Sequence, residues 1–345
     1  MPTTDTSRAK ALILNYQTEL ERAGREHRDE DGFAEVIAGF AHEDLHWYGV
    51  HPFGERHGSH AVARAFWAPL CGSFERLQRR QDIFFAGRNA SDDALWVVSM
   101  GHLMGLFDRP FLGIPPTGRV AMLRYAEFCH VTEDRIARAS LFVDLIGLMQ
   151  QSGLSPLPAA TGQHFVYPGP RTHDGLQLAD ADPVESAATL SLIDRMVDDL
   201  SALNLSGEDR CPPEYLARTW HDDMLWYGPA GIGATYTIER YQAQHQYPFR
   251  TGLTDKVFNG HICRCAEGNY GGFFGWPNLT NRAAGGFLGL PASDKAADMR
   301  VVDIYRRDGD KLAENWVLID LPHWLLQQGV NVLERSRELT QASFE

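Results

Sequence analysis

"HEDLHWYGVH", residues 42–51, matches the pattern H-E-x-x-H letter for letter at His42, Glu43 and His46. In a zinc peptidase that pattern needs a helix, because one helical turn brings both histidines to a single ion while the glutamate polarises its bound water. The neighbouring residues favour a strand instead. Leu45 leads into Trp47, Tyr48 and Gly49, with Pro52 close behind, a run of aromatic residues closed by a glycine and proline turn. On a strand the two histidines stand roughly 13 Å apart along the backbone, too far to share one metal.

The stretch also returns. At 221–228 it reads "HDDMLWYG", with Leu225 in place of His46 and Asp222 in place of Glu43, so the slot persists without a chelating pair. "RPFLGIPPTGR" (109–119) returns as "GGFLGLPASDK" (285–295), and this register continues unbroken: Arg124 meets Arg300, Glu127 meets Asp303, Asp134 meets Asp310, Asp144 meets Asp320, Gln151 meets Gln327 and Gly153 meets Gly329. A period this long is a duplicated domain, not a solenoid of short repeats.

Each copy opens with apolar residues at helical spacing, Ile13, Tyr16, Leu20 and Ala23 in the first and Leu190, Ile193, Val197 and Leu200 in the second. A second short helix follows ("FAEVIAGFAHED", "PPEYLARTW"), then the apolar run at Trp47 or Trp226, then a third helical stretch near 59–71 and 237–247. Strands come next: "ALWVVSM", "VAMLRYAEF" and "RIARASLFV", the last two joined by the turn "HVTEDR". Helices ahead of antiparallel strands predict an α+β fold. Domain 1 is expected over 1–155, a Pro- and Gly-rich linker over 156–182 and domain 2 over 183–345.

Composition narrows the partners. The 345-residue chain (38.6 kDa) has a formal charge of −13 and a pI near 5.5, so phosphate backbones and anionic membranes are repelled, and neither nucleic acid nor membrane is expected. The five cysteines, 71, 129, 211, 263 and 265, are odd in number and form no C-x-x-C clamp, which reads as reduced thiols in a cytoplasmic protein. His261, Cys263 and Cys265 alternate without a fourth ligand, so no metal is expected there. "MPTTDTSRAK" has no apolar signal core, and no apolar run is long enough to span a bilayer.

A curved sheet after three helices, "FLGIPPTGR" ahead of a strand, a D-x-I or D-K-L turn, and a closing "LFVDLIGLMQQSG" that returns as "VLIDLPHWLLQQG" resemble the SnoaL-like polyketide cyclases of the nuclear transport factor 2-like superfamily, over 7–155 and 183–335. The resemblance implies two tandem cone-shaped barrels, each three helices on a strongly curved, mainly antiparallel sheet around an apolar pocket. They would pair as an internal pseudo-dimer, with further homo-oligomers left open. It also implies cofactor-independent acid/base chemistry of the cyclase or isomerase kind on a small, largely apolar carbonyl compound. Asp144 and Asp320 fall in the place of the family's general base. The alternative is a non-catalytic small-molecule-binding protein in which both aspartates, each ahead of a helical segment, act only as N-caps. The family's Thr-His pair before G-[IL]-P is absent here, and His102 and Trp276 stand nearest its place.

Alternation along the last strand gives a mixed face, Ile136, Arg138, Ser140, Phe142 and Asp144 in the first copy and Leu312, Glu314, Trp316, Leu318 and Asp320 in the second, expected to line the pocket. Arg124 and Glu127, like Arg300 and Asp303, are three positions apart and point to opposite faces, so one of each pair reaches the cavity. Trp47, Trp226, Tyr227 and His245 complete the expected lining. "GPAGIGAT" (228–235) reads as an entrance loop. The second copy is favoured as the active half on the strength of Glu314 and Trp316.

Overall fold

The computed structural model describes residues 4–207 and 210–342, so the outer tips of the two expected domains, 1–3 and 343–345, lie outside the described residues. After α1 (Asp5–Arg25) and α2 (Glu30–Phe40) come β1 (Ala41–Gly49) and β2 (Gly54–His57). A helical stretch follows, made of α3 (Ser59–Val62), a π-helical turn (Ala63–Trp67) and α4 (Ala68–Ser73). The long strands β3 (Phe74–Arg88), β4 (Leu95–Phe107), β5 (Arg119–Thr132) and β6 (Arg135–Val143) then lead into α5 (Leu145–Gln151). The sheet order is β2-β1-β6-β5-β4-β3, antiparallel except where β1 runs alongside β6.

The second half runs through the same kinds of element. They are α6 (Pro183–Ser206), α7 (Pro213–Leu216), β7 (Trp220–Tyr227), β8 (Ala234–Tyr236), α8 (Ile238–Tyr241), a π-helical turn (Gln242–Gln246) and α9 (Tyr247–Gly252). Next come β9 (Leu253–Phe258), β10 (Cys263–Glu267), β11 (Tyr270–Ala283), β12 (Ala296–Asp308), β13 (Lys311–Ile319) and α10 (Leu321–Gln327). The order is β10-β11-β12-β13-β7-β8, with β9 also against β11, and again one parallel pair, β13 with β7. Helices laid on mainly antiparallel, mixed sheets make the fold α+β.

The chain divides into two units, and neither is one run of sequence. Unit 1 holds 1–156, 171–180 and 331–345; unit 2 holds 157–170 and 181–330. The stretch read as a linker is thus shared out and pinned down. In unit 1 the buried Lys10 amine is satisfied by the Gln177 and Ala179 carbonyls at 3.0 Å each. The last helix, α11 (Val332–Ala342), belongs to unit 1, where Ser336 Oγ meets Met149 Sδ at 3.1 Å.

His42 and His46 are strand residues: His42 Nε2 bonds the Thr132 carbonyl at 3.0 Å and His46 Nε2 the Glu55 carboxylate at 2.8 Å. The glycine closing Trp-Tyr-Gly has a steric reason. The indole folds back over it, and a Cβ would meet the Trp47 ring at 2.0 Å from Gly49 and the Trp226 ring at 2.1 Å from Gly228. Among the described residues, no helix is long and apolar enough to cross a membrane, and no group of three His, Cys, Asp or Glu side chains is placed to hold a metal ion.

Candidate active site

A proline shapes the site. Pro248 has no N–H, and its ring crowds the carbonyl four residues back. Over Gln242–Gln246 the helix widens into its π turn, and the Gln244 carbonyl accepts instead from Thr161 Oγ1 at 2.7 Å. Such widened turns recur at functional sites. Here the turn puts Tyr241, His245, Gln246, Phe249 and Arg250 on one face. With Met196, Val197 and Leu200 of α6, and Trp226, Phe273, Val301, Asp303, Tyr305, Val317 and Ile319 of the sheet, they enclose a cavity of about 170 Å³ in unit 2.

Asp303 stands on β12 between Val301 and Tyr305 and keeps part of its surface open to the cavity. Burial pushes its carboxyl up to about 6, and hydrogen bonds from Asn315 (Nδ2 to Oδ1, 3.2 Å) and Tyr305 offset this only in part. The hydroxyl and imidazole groups around it stay uncharged. Burial raises the Tyr305 and Tyr241 hydroxyls well above the usual phenol range. Burial, helped by the Arg250 charge, brings His245 down to about 3, and burial with Arg264 does the same to His261. His245 stacks on Trp226 at 3.9 Å, and its Nδ1 has no hydrogen-bond partner among the described residues. Chemically, this is one carboxylate tuned toward neutral pH, set among neutral hydroxyl and imidazole donors and aromatic walls, with the Arg250 guanidinium on the same cavity.

Unit 1 holds a buried ion pair in its interior. Glu127, which the sequence register sets against Asp303, accepts at Oε2 from Arg79 Nη1 at 2.9 Å and Gln17 Nε2 at 2.8 Å. Gln81 bridges Gln17 and Ser99 at 2.6 and 3.2 Å, and Ser99 meets the Tyr125 hydroxyl at 2.8 Å. Trp47 packs in the same interior, 6.2 Å from the Phe66 ring and 6.4 Å from Phe53.

Strand parity decides where the other expected residues lie. Asp303 is opposite Val317, and Val301 opposite Ile319. The inward face of β13 is therefore Asn315, Val317 and Ile319, which corrects the expected face of Glu314, Trp316 and Leu318. Trp316 donates to the Pro168 carbonyl at 3.0 Å and stacks on Tyr227 at 5.5 Å, so both rings lie off the cavity. Glu314 pairs with Arg306. Trp276 lies beneath the Arg300 guanidinium at 3.9 Å, and Arg300 Nη1 is 3.4 Å from Asp320 Oδ2. None of these three lines the cavity. In unit 1 Glu127 is opposite Leu141 and Tyr125 opposite Val143, so Phe142, Arg124 and His102 take the other face. There His102 Nδ1 is 3.3 Å from Asp82 Oδ2. The structure thus gathers Trp226, His245 and Asp303 in one cavity. Tyr305, Tyr241, Arg250 and His261 join them unforeseen, although Tyr305 follows from Asp303 by alternation and Pro248 marks the widened helix that carries Arg250.

Asp144 and Asp320 both cap helices: Asp144 Oδ1 accepts from the Gly147 N–H at 2.9 Å and Asp320 Oδ1 from the His323 N–H at 3.2 Å. Asp144→Ala is expected to cost about 1 kcal/mol. Asp320→Ala is expected to cost about 2–3 kcal/mol, since Arg300 also loses its carboxylate. Urea midpoints of the two variants check the order.

No family model matches the chain, and no curated protein matches it. Several solved structures do, each over less than half of this chain. A protein from Jannaschia assigned as a SnoaL-like polyketide cyclase is 21% identical over 45% of this chain and 97% of its own, with a TM-score of 0.33. TsrD from Streptomyces laurentii is 20% identical over 41% of this chain and 96% of its own, at 0.33. An NTF2-like protein from Burkholderia xenovorans is 13% identical over 42% of this chain and 97% of its own, at 0.31.

Proposed function

We propose that unit 2 is a cofactor-independent acid/base enzyme of the cyclase or isomerase kind, acting on a small, largely apolar carbonyl compound, with Asp303 as the general base. The observation that carries this reading is a carboxylate raised to about 6 at the wall of an aromatic cavity, with only hydrogen-bonding neighbours and burial setting its charge. In the proposed step Asp303 takes a proton from the carbon next to the carbonyl, and a neutral hydroxyl or imidazole donor receives the enolate oxygen. The proposal includes the chain as a tandem of two SnoaL-like domains, of which unit 1 is scaffold. Support comes from the shared order of elements, the repeated Trp-Tyr-Gly closure and the buried Arg79–Glu127 pair where the repeat register sets Glu127 against Asp303.

The test is deuterium exchange at the carbons flanking the carbonyl of 2-tetralone, followed by mass spectrometry. The wild-type protein is expected to exceed buffer, and Asp303→Asn to lose roughly 10²–10⁴-fold of that rate. Wild-type exchange no faster than buffer, or an unimpaired Asp303→Asn, sinks the reading. Loss in Asp320→Asn alone returns the base to the end of β13.

A further inference from the structure

Arg250 is 4% exposed and lines the cavity. Its Nε donates to Gln246 Oε1 at 3.1 Å and its Nη1 to Asn204 Oδ1 at 2.8 Å, both neutral amides. Among the described residues no carboxylate forms an ion pair with it. The comparison within the chain is telling, because the buried Arg79, Arg306 and Arg307 each have one, in Glu127, Glu314 and Glu185. A buried guanidinium cannot shed its proton, and without a counter-charge it carries a desolvation cost that an incoming anion removes. On the same widened helix, His245 is 8% exposed, and its Nδ1 has no protein partner. Two donors, one permanently charged, thus stand in the lining of a cavity whose remaining wall is largely aromatic and aliphatic.

We infer that the cavity takes a small organic acid, its carboxylate held by Arg250 with His245 Nδ1 as a further donor, and its apolar body against Trp226, Phe249 and Phe273. The inference rests on the reading of this cavity as the active site and narrows the substrate class to a carboxylic acid that also carries the reacting carbonyl, of which a neutral ketone such as tetralone supplies the reacting part alone. Arg250 supplies the planar fork that suits a carboxylate, and holding that end fixes which carbon meets Asp303.

Calorimetric titration with 3-phenylpropanoate and its neutral amide reads this without any turnover. The acid is expected to bind at least about tenfold more tightly than the amide. Arg250→Gln is expected to erase the preference. Asn204→Asp places a carboxylate where the neutral oxygen now accepts from Nη1, so it is expected to erase the preference and to raise Tm. Should Arg250→Gln fail to fold, Asn204→Asp decides. Equal binding of acid and amide, no binding of either at millimolar concentration, or undiminished acid binding by Asn204→Asp overturns the inference. Loss of tetralone exchange with the acid preference intact would instead remove the proposed base and leave the anion site standing.

Discussion

Glu127→Ala is expected to lower the stability of unit 1 by about 3–5 kcal/mol, because it leaves the Arg79 charge buried with no counter-ion. Both side chains are 3% exposed, and Nη1 stands 2.9 Å from Oε2. Deprotonation offers no escape, since a guanidinium keeps its charge at any accessible pH. The rings of Tyr125 and Trp67, 4.4 and 5.7 Å from the guanidinium carbon, return only about 1 kcal/mol each as cation–π contacts. Gln17 also loses the oxygen it donates to. The pair as a whole is a different matter. Replacing both residues with apolar ones of similar volume, Arg79→Met with Glu127→Leu, is expected to be neutral or to stabilise by about 1–4 kcal/mol, since the two desolvation costs vanish together. Urea unfolding of the two single variants and the double closes the cycle. A single-variant loss below about 1 kcal/mol would mean that water reaches the pair and that the interior of unit 1 is not dry.

Much of this was legible in the residues. The doubled Trp-Tyr-Gly stretch placed β1 and β7 as strands and ruled the chelating helix out, because a slot that tolerates Leu225 has no need of His46. The helix-first order and the turn after "CHVT" were legible for the same reason: periodicity and turn chemistry are local signals. Which face of β13 looks inward was not. From Glu314 to Ile319 every residue is buried, so alternation separates two faces without saying which is the core, and the face with Glu314 does not line the cavity because Glu314 pairs with Arg306. Arg79 was hidden too. It sits in "ERLQRRQD", a charged run that looks solvated, yet its side chain lies inside. Arg250 needed the extra residue of the π turn, a shift in helical phase that a 3.6-residue period does not contain.

Asp303→Asn is expected to separate two pH dependences that the wild-type protein shows together. A general base works ionised, so wild-type exchange should climb as pH rises through about 6 and then level off. Stability should move the other way. The folded carboxyl, at about 6, lies above the unfolded value of about 3.9, so the folded state keeps a proton that the unfolded chain gives up. The stabilisation is complete below about 3.9 and is lost as pH rises through about 6. Asparagine removes that loss, because the Asn315 amide can still donate to its side-chain oxygen and no charge is buried. The variant should therefore be more stable than wild type at neutral pH, with the gap closing as the solution is acidified. Taking the difference at each pH cancels the many other carboxylates that titrate in the same window. A gap that does not change with pH would show that burial is not what raises Asp303, whatever happens to the rate. If the gap behaves as expected, the ionised form that the proposed chemistry uses is also the form that strains unit 2. Arg250, which pairs with no carboxylate among the described residues, would add to that strain, and the proposed bound carboxylate would relieve the part due to Arg250 while leaving Asp303 available as the proposed base.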